Sequence, residues 1–343
     1  KHRNRAVDYV ALVCYPTPAD NPRAPLFLPD GGIVPAMQRG SEPPLIADTC
    51  SATGGNSCDR PTRWPLLLYS HGLSGSPLSD SYLETIVRFA SHGYIVAAPF
   101  HADPRFSRVT IEDLDDLAYL YYGQNELAEM QAIRPLAMQA LLGHLLADAT
   151  WGTRIDAERI AGFGASMGGE TMMLLAGAEL TYNLTRSRKQ VVYEPRLKAV
   201  VTFVPYSGVD ILPAFGDDQR GTNGLMVSYL GIGGSEDLIA PVNNTKKALE
   251  RMMGTRYLIE VEGMKHGSNP AVMDEAYAWY LTFLDANLNG DRSALSRLYR
   301  ATAVAGGTHD TLKLAVQTGV APLAGESVVR EFHHAILNHF FLT

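Results

Sequence analysis

The chain is poor in cysteine, with three in 343 residues. That excludes a scaffold stapled by many disulfides, since such scaffolds are small and cysteine-dense. No stretch reaches the roughly 18 consecutive apolar residues of a membrane-spanning helix, so no transmembrane segment is expected. Runs of lysine and arginine are also missing, and the net charge is −7. A nucleic-acid binder needs a basic face to displace counterions from phosphates, so no nucleic-acid partner is expected. Disorder is set aside by a hydrophobic fraction of 46%, enough to build a large core.

The cysteines that are present carry information. Cys14 lies in an apolar run and reads as a buried thiol. Cys50 and Cys58 flank the Gly/Ser/Asn loop of "CSATGGNSC", which has the freedom to close into a disulfide. We expect that bond and, with it, a secreted or periplasmic location. The competing reading is two unpaired thiols in a cytosolic loop.

Apolar runs bounded by glycine and proline recur at 7–15, 65–72, 94–100, 159–166, 197–204, 225–233 and 256–263, with helical patterns between most of them. Strands alternating with helices imply an α/β fold: a mainly parallel central sheet flanked by helices. After the second run, Ser81 and Glu84 have capping-box spacing. Leu83, Ile86, Val87 and Ala90 form an apolar stripe, and Gly93 ends the helix. The Pro/Gly-rich excursion 16–63 is too irregular for a regular element. Residues 108–130 read as a helical insertion ahead of the helix "RPLAMQALLGHLL". Its tyrosines Tyr119, Tyr121 and Tyr122 either wall a pocket or pack the insert. A further helix runs from Asn269 and Pro270 to about Asn289, with Val272, Ala276, Trp279, Tyr280 and Phe283 on one side. The tail 291–343 ends in an amphipathic stretch built on Val329, Phe332, Ile336 and Phe340. We read one domain spanning 1–343, with its core at about 5–290.

Glycine is plentiful, and in "IAGFGASMGGE" four glycines surround Ser166. "GASMG" fits G-x-S-x-G between an expected strand and an expected helix. In that setting a serine sits on a strained turn with its hydroxyl held above the sheet. A serine hydroxyl needs a base, and the base needs an orienting group. Asp237 in "GGSEDLIAP" and His266 in "VEGMKHGSN" follow successive strands, in the order nucleophile, acid, histidine. Glu236 and Asp210 are the rival carboxylates. The backbone N–H groups of Met167 and of Leu73, in "HGLSG", are candidate oxyanion donors. His71 either holds that loop by hydrogen bonds or contacts substrate, and Tyr206 either stacks on an acyl or aromatic group or packs its own loop. His333, His334 and His339 lack the i, i+4 spacing of a helical metal pair, and "HAD" at 101–103 is too little for a site. No metal and no cofactor are expected.

With these residues in view, "PLLLYSHGLSGS", "RFASHGYIVAAPF" and "GASMG" resemble the predicted dienelactone hydrolases and the platelet-activating-factor acetylhydrolases of the α/β-hydrolase superfamily. "GGSEDLIAPVNNT" and "YLIEVEGMKHGSNP" are similar to bacterial cutinases and polyester hydrolases. The resemblance covers most of 64–290. It implies an α/β-hydrolase fold and a serine esterase with Ser166, Asp237 and His266 as triad and Leu73 and Met167 as oxyanion donors. The chain departs from these families in several places. Dienelactone hydrolases use cysteine where Ser166 stands. Plasma-type acetylhydrolases place their acid around "FVPYSG", where this chain has Pro205, which favours Asp237. Cutinases have an aromatic residue at the position of Leu73 and a tryptophan near Tyr206. The expected function is hydrolysis of short to medium acyl esters or polyesters through an acyl-enzyme. The alternatives are a phospholipid acetylhydrolase-like lipase, a peptidase on the same fold, and a non-catalytic binding protein that keeps the fold.

Overall fold

The computed structural model describes residues 7–17, 22–27, 33–38, 43, 46–47, 61–103, 124–182, 186–267, 270–301 and 310–318. Strand β2 (Trp64–Ser70) shows why a sheet forms: Leu66 and Leu68 face one side, Leu67 and Tyr69 the other, and none of the four has exposed surface. A strand buried on both faces belongs in the middle of a sheet covered by helices.

The other strands of that sheet are β1 (Ala11–Cys14), β3 (Ile95–Pro99), β4 (Ile155–Ala165), β5 (Leu197–Phe203), β6 (Ser228–Gly234), β7 (Arg256–Val261) and β8 (Asp310–Val316). Their spatial order is β1-β3-β2-β4-β5-β6-β7-β8. The six inner strands run parallel, while β1 and β8 close the two edges antiparallel. Helices α1 (Asp80–Ser91), α5 (Pro270–Asn287) and α6 (Arg292–Arg300) cover one face through Leu83, Phe89, Phe283 and Leu298. Helices α2 (Gln124–Ala147), α3 (Met167–Leu175) and α4 (Val242–Glu250) cover the other through Met138, Leu142, Met172 and Leu249. The inner strands all point their carboxyl ends to one edge, where sheets of this kind present their ligand sites.

Some boundaries differ from the expected ones. Helix α1 starts after Ser79, so Ser81 is already inside it, and its carbonyl accepts from Thr85 Oγ1 at 2.9 Å. The Ser81 and Glu84 capping box is therefore replaced by an earlier start. Helix α2 begins at Gln124, which puts 124–130 in the same helix as "RPLAMQALLGHLL" instead of a separate insertion. The excursion does hold regular structure: Pro25–Phe27 pairs with Ile33–Gln38, and Ile46–Ala47 with Pro61–Thr62. Short two-stranded pairs leave too little periodicity to be seen in a Pro/Gly-rich run. The tail also contributes to the sheet through β8, anchored where Trp279 Nε1 donates to Asp310 Oδ2 at 2.7 Å. Cys14 is buried, and burial pushes its thiol up to about 12. The Cys50 and Cys58 pair, the tyrosines of 108–123, the histidines 333, 334 and 339 and the amphipathic stretch from Val329 lie outside the described residues. Among the described residues no helix is long and apolar enough to cross a membrane.

Candidate active site

Strand β4 ends at Ala165 and α3 begins at Met167, leaving Ser166 alone to turn the chain. It does so at φ 52°, a conformation that costs a non-glycine residue about 1–3 kcal/mol. Three hydrogen bonds hold it there. Ser166 N–H donates to Phe203 O at 2.9 Å, and Ser166 O accepts from Gly169 N at 2.8 Å and Tyr206 N at 2.9 Å. The flanking glycines are required by closeness: a Cβ on Gly164 would lie 2.2 Å from Gly168 O, and one on Gly168 would lie 2.0 Å from Ser70 O. The four glycines around Ser166 therefore meet a steric requirement. No larger side chain fits where β2, β4 and α3 converge.

The loops after β6 and β7 bring two more groups to the same edge. His266 Nε2 lies 2.9 Å from Ser166 Oγ, and His266 Nδ1 lies 2.8 Å from Asp237 Oδ2. Asp237 is buried, and its other oxygen accepts from Ile239 N at 2.9 Å and Ala240 N at 2.8 Å, which fixes the carboxylate plane. Glu236 and Asp210 are exposed. Residues 166, 237 and 266 therefore form one continuous chain of hydrogen bonds, in which the histidine can receive a proton from the serine while the carboxylate holds its tautomer.

Opposite them lies the loop after β2. Gly72 N–H donates to Tyr82 Oη at 3.3 Å, and Ser74 N–H donates to Asp103 Oδ2 at 3.2 Å. Arg134 donates to His71 O at 2.7 Å and to Gly72 O at 3.0 Å, and its Nε donates to Asp103 Oδ1 at 2.9 Å. A second bond joins Arg134 Nη2 to Asp103 Oδ2. Arg134 has no exposed surface and Asp103 almost none. The carboxylate balances the guanidinium, and the backbone carbonyls satisfy its remaining donors, so a buried charge is tolerated here. Leu73 is the residue between Gly72 and Ser74, and it packs with Met167, Tyr206, Leu212, Met130 and Ile133 in one apolar cluster.

One of the expected contacts is corrected by this geometry. His71 is fully buried, so it is part of the loop's support and not a substrate contact. Its Nδ1 pairs with Gly72 O at 2.8 Å and its Nε2 accepts from His101 N at 3.3 Å. Desolvation, helped by Arg134, lowers its pKa to about 4 and keeps the ring neutral. Tyr206 is half-buried against the apolar cluster and its hydroxyl donates to Leu212 O, contacts that fit a tyrosine packing its own loop. Burial raises its phenol well above the usual range.

Sequence reasoning missed Arg134, Asp103, His101, Gln131 and Glu170. His101 Nε2 lies 2.8 Å from Ser70 Oγ at the end of β2. Glu170 is a carboxyl on the buried helix α3, with Gln131 Nε2 donating to its Oε1 at 2.6 Å. A charged residue inside "MGGETMMLLAG" was the available signal. Among the described residues no group of three or more His, Cys, Asp or Glu side chains is placed to hold a metal ion.

Comparison with known proteins adds one partial match. Residues 46–117 match the model of platelet-activating factor acetylhydrolase, isoform II. The matched segment includes β2, the loop 71–75, α1, β3 and Asp103, and it stops short of Ser166. No curated protein matches the chain. Sheet order, strand direction and the serine turn together make this an α/β-hydrolase fold, and within it the segment running from before β2 past β3 is similar to platelet-activating factor acetylhydrolase, isoform II.

Proposed function

We propose that the protein is a serine carboxylic-ester hydrolase. The observation that carries this reading is the run of hydrogen bonds from Ser166 Oγ through His266 to Asp237 at 2.9 and 2.8 Å, on a serine held at φ 52°. In the proposed reaction, His266 Nε2 takes the hydroxyl proton as Ser166 Oγ attacks the ester carbonyl. The oxyanion of the tetrahedral intermediate is held by the N–H groups of Leu73 and Met167. His266 then returns the proton to the leaving alcohol, an acyl-Ser166 forms, and water repeats the sequence to release the acid. Asp237 keeps the Nδ1 proton in place throughout and stabilises the imidazolium.

The substrate is an ester of a short to medium acyl group, either small or polymeric. A phospholipid acetylhydrolase-like lipase is the second reading, and the match at 46–117 to a family named for acetyl hydrolysis favours it. The location we propose remains secreted or periplasmic. A panel of nitrophenyl esters from acetyl to palmitoyl, with one polyester film and one acetylated phospholipid, tests the function and separates its two forms. Turnover of the short esters, lost in Ser166→Ala, is the expected result. No turnover of any ester by folded protein would refute it.

A further inference from the structure

The hydrolysis just proposed draws its two oxyanion donors from separate pieces of chain. Leu73 belongs to the loop after β2, and Met167 opens α3. Something must set the gap between them, because such donors work only when aimed where the oxyanion forms. Helix α2 touches both pieces with residues three apart, which share a helix face. Gln131 Nε2 donates to Glu170 Oε1 at 2.6 Å, and Glu170 stands three residues after Met167 on α3. Arg134 donates to the carbonyls of His71 and Gly72, the two residues before Leu73. All three side chains are buried: Gln131 is 4% exposed, Glu170 1% and Arg134 0%.

We propose that Glu170, bound through Gln131 to the helix whose Arg134 grips the loop, is a positioning residue that sets the spacing of the Leu73 and Met167 donors. The proposal rests on the serine-hydrolase reading. Simple packing does not account for a carboxyl at this place. Its Oε2 has no hydrogen-bond partner among the described residues, and burying an unpaired polar atom costs stability that an apolar side chain would not.

The same surroundings give the device a pH dependence. Burial pushes Glu170 up to about 8, against the opposing pull of Arg134 and the Gln131 hydrogen bond. The groups that interact with it are Arg134 and Gln131 from α2 and the phenol of Tyr206 from the loop after β5, and Asp103 lies beyond as the partner of Arg134. As the neutral acid, Glu170 leaves Arg134 to Asp103 and to the two loop carbonyls. Once ionised, it is a second anion for the same guanidinium, competing with those carbonyls and loosening the loop. The oxyanion exists only in the reacting state, so the loss falls on kcat and leaves KM nearly unchanged.

The test compares wild type, Glu170→Gln and Glu170→Ala as full chains on nitrophenyl acetate from pH 6 to 10. Wild-type kcat should fall as pH rises through about 8. Glu170→Gln, a permanently neutral isostere, should hold its kcat into higher pH. Glu170→Ala should lose roughly tenfold in kcat at pH 7 with KM little changed, less than the roughly 10²–10³-fold cost of removing one oxyanion donor outright. An alkaline fall that is the same in wild type and Glu170→Gln would overturn the proposal, as would wild-type kcat in a folded Glu170→Ala. If circular dichroism shows that the alanine variant does not fold, the pH profile of Glu170→Gln decides alone. Wild-type protein that neither turns over the ester nor takes a fluorophosphonate at Ser166 would instead refute the hydrolase reading, and this proposal with it.

Discussion

The two sides of the site are held in different ways. Ser166 turns the chain between β4 and α3, Asp237 and His266 lie in the loops after β6 and β7, and backbone groups fix the first two: Phe203 O and Tyr206 N at the serine, Ile239 N and Ala240 N at the carboxylate. The loop 71–75 is held from a distance, by Tyr82 of α1, Arg134 of α2, and Asp103 and His101 after β3. Side chains that carry out proton transfer need precise hydrogen-bond geometry, which rigid strand ends supply cheaply in sequence. A backbone donor facing a transient charge needs its whole loop fixed, and here that takes a buried ion pair. Chemistry on one side and scaffold on the other should therefore fail differently.

The largest effect should come from the chemical side. Ser166→Ala should abolish ester hydrolysis, a loss on the order of 10⁶ in turnover as in another serine hydrolase. Its melting temperature should stay near wild type, because the hydroxyl is at the surface of the elbow. A variant that keeps a tenth of wild-type turnover would remove Ser166 from the reaction.

Asp237→Asn should cost roughly 10⁴ in turnover, the size of the loss when a triad acid can no longer fix the histidine tautomer. Asp210→Asn and Glu236→Gln, both exposed, should stay close to wild type. Equal mild effects in all three would break the assignment of the acid.

On the scaffold side the reading is stability. Asp103→Ala leaves Arg134 buried without its carboxylate, and losing one partner of such a pair costs about 3–5 kcal/mol. Urea denaturation measures it. A loss under about 1 kcal/mol, the range of exposed pairs, would mean that the pair does not brace the loop.

A last effect sharpens the comparison through pH. Glu170 is raised in the folded state, so between its ordinary value of 4.5 and about 8 the unfolded chain holds fewer protons than the native one. Stability present below 4.5 is therefore lost as pH rises towards 8, by at most about 1.4 kcal/mol per pH unit. Glu170→Gln lacks this loss. Thermal melts at pH 5 and pH 8 should show the variant gaining on wild type at the higher pH, and a constant difference would show that the carboxyl does not ionise as described.

This same contrast explains what could be read from the sequence. Apolar runs such as "PLLLYS" and "RYLIEV" carry their burial in their own composition, so the inner strands and their direction were legible. Ser166, Asp237 and His266, which the structure brings together, could be singled out because each follows such a run within a few residues. Arg134 was not, since an arginine ahead of "PLAMQALL" looks like the first turn of a helix until Asp103 and the loop carbonyls are placed beside it. The start of α1 moved from Ser81 to Ser79, whose side chain makes no cap bond, so the serine-and-glutamate spacing was not what set it. Strand β8 hid in the tail because an edge strand needs one partner and only a half-buried face.

The central claim is that Ser166 is an activated nucleophile. The most direct measurement is reaction of the folded chain with a fluorophosphonate, followed by peptide mapping of the adduct. One phosphonyl group per chain, located on Ser166, absent from Ser166→Ala and formed far more slowly by Asp237→Asn, is the predicted result. Folded wild-type protein that stays unmodified, or carries the group on a different residue, would contradict it.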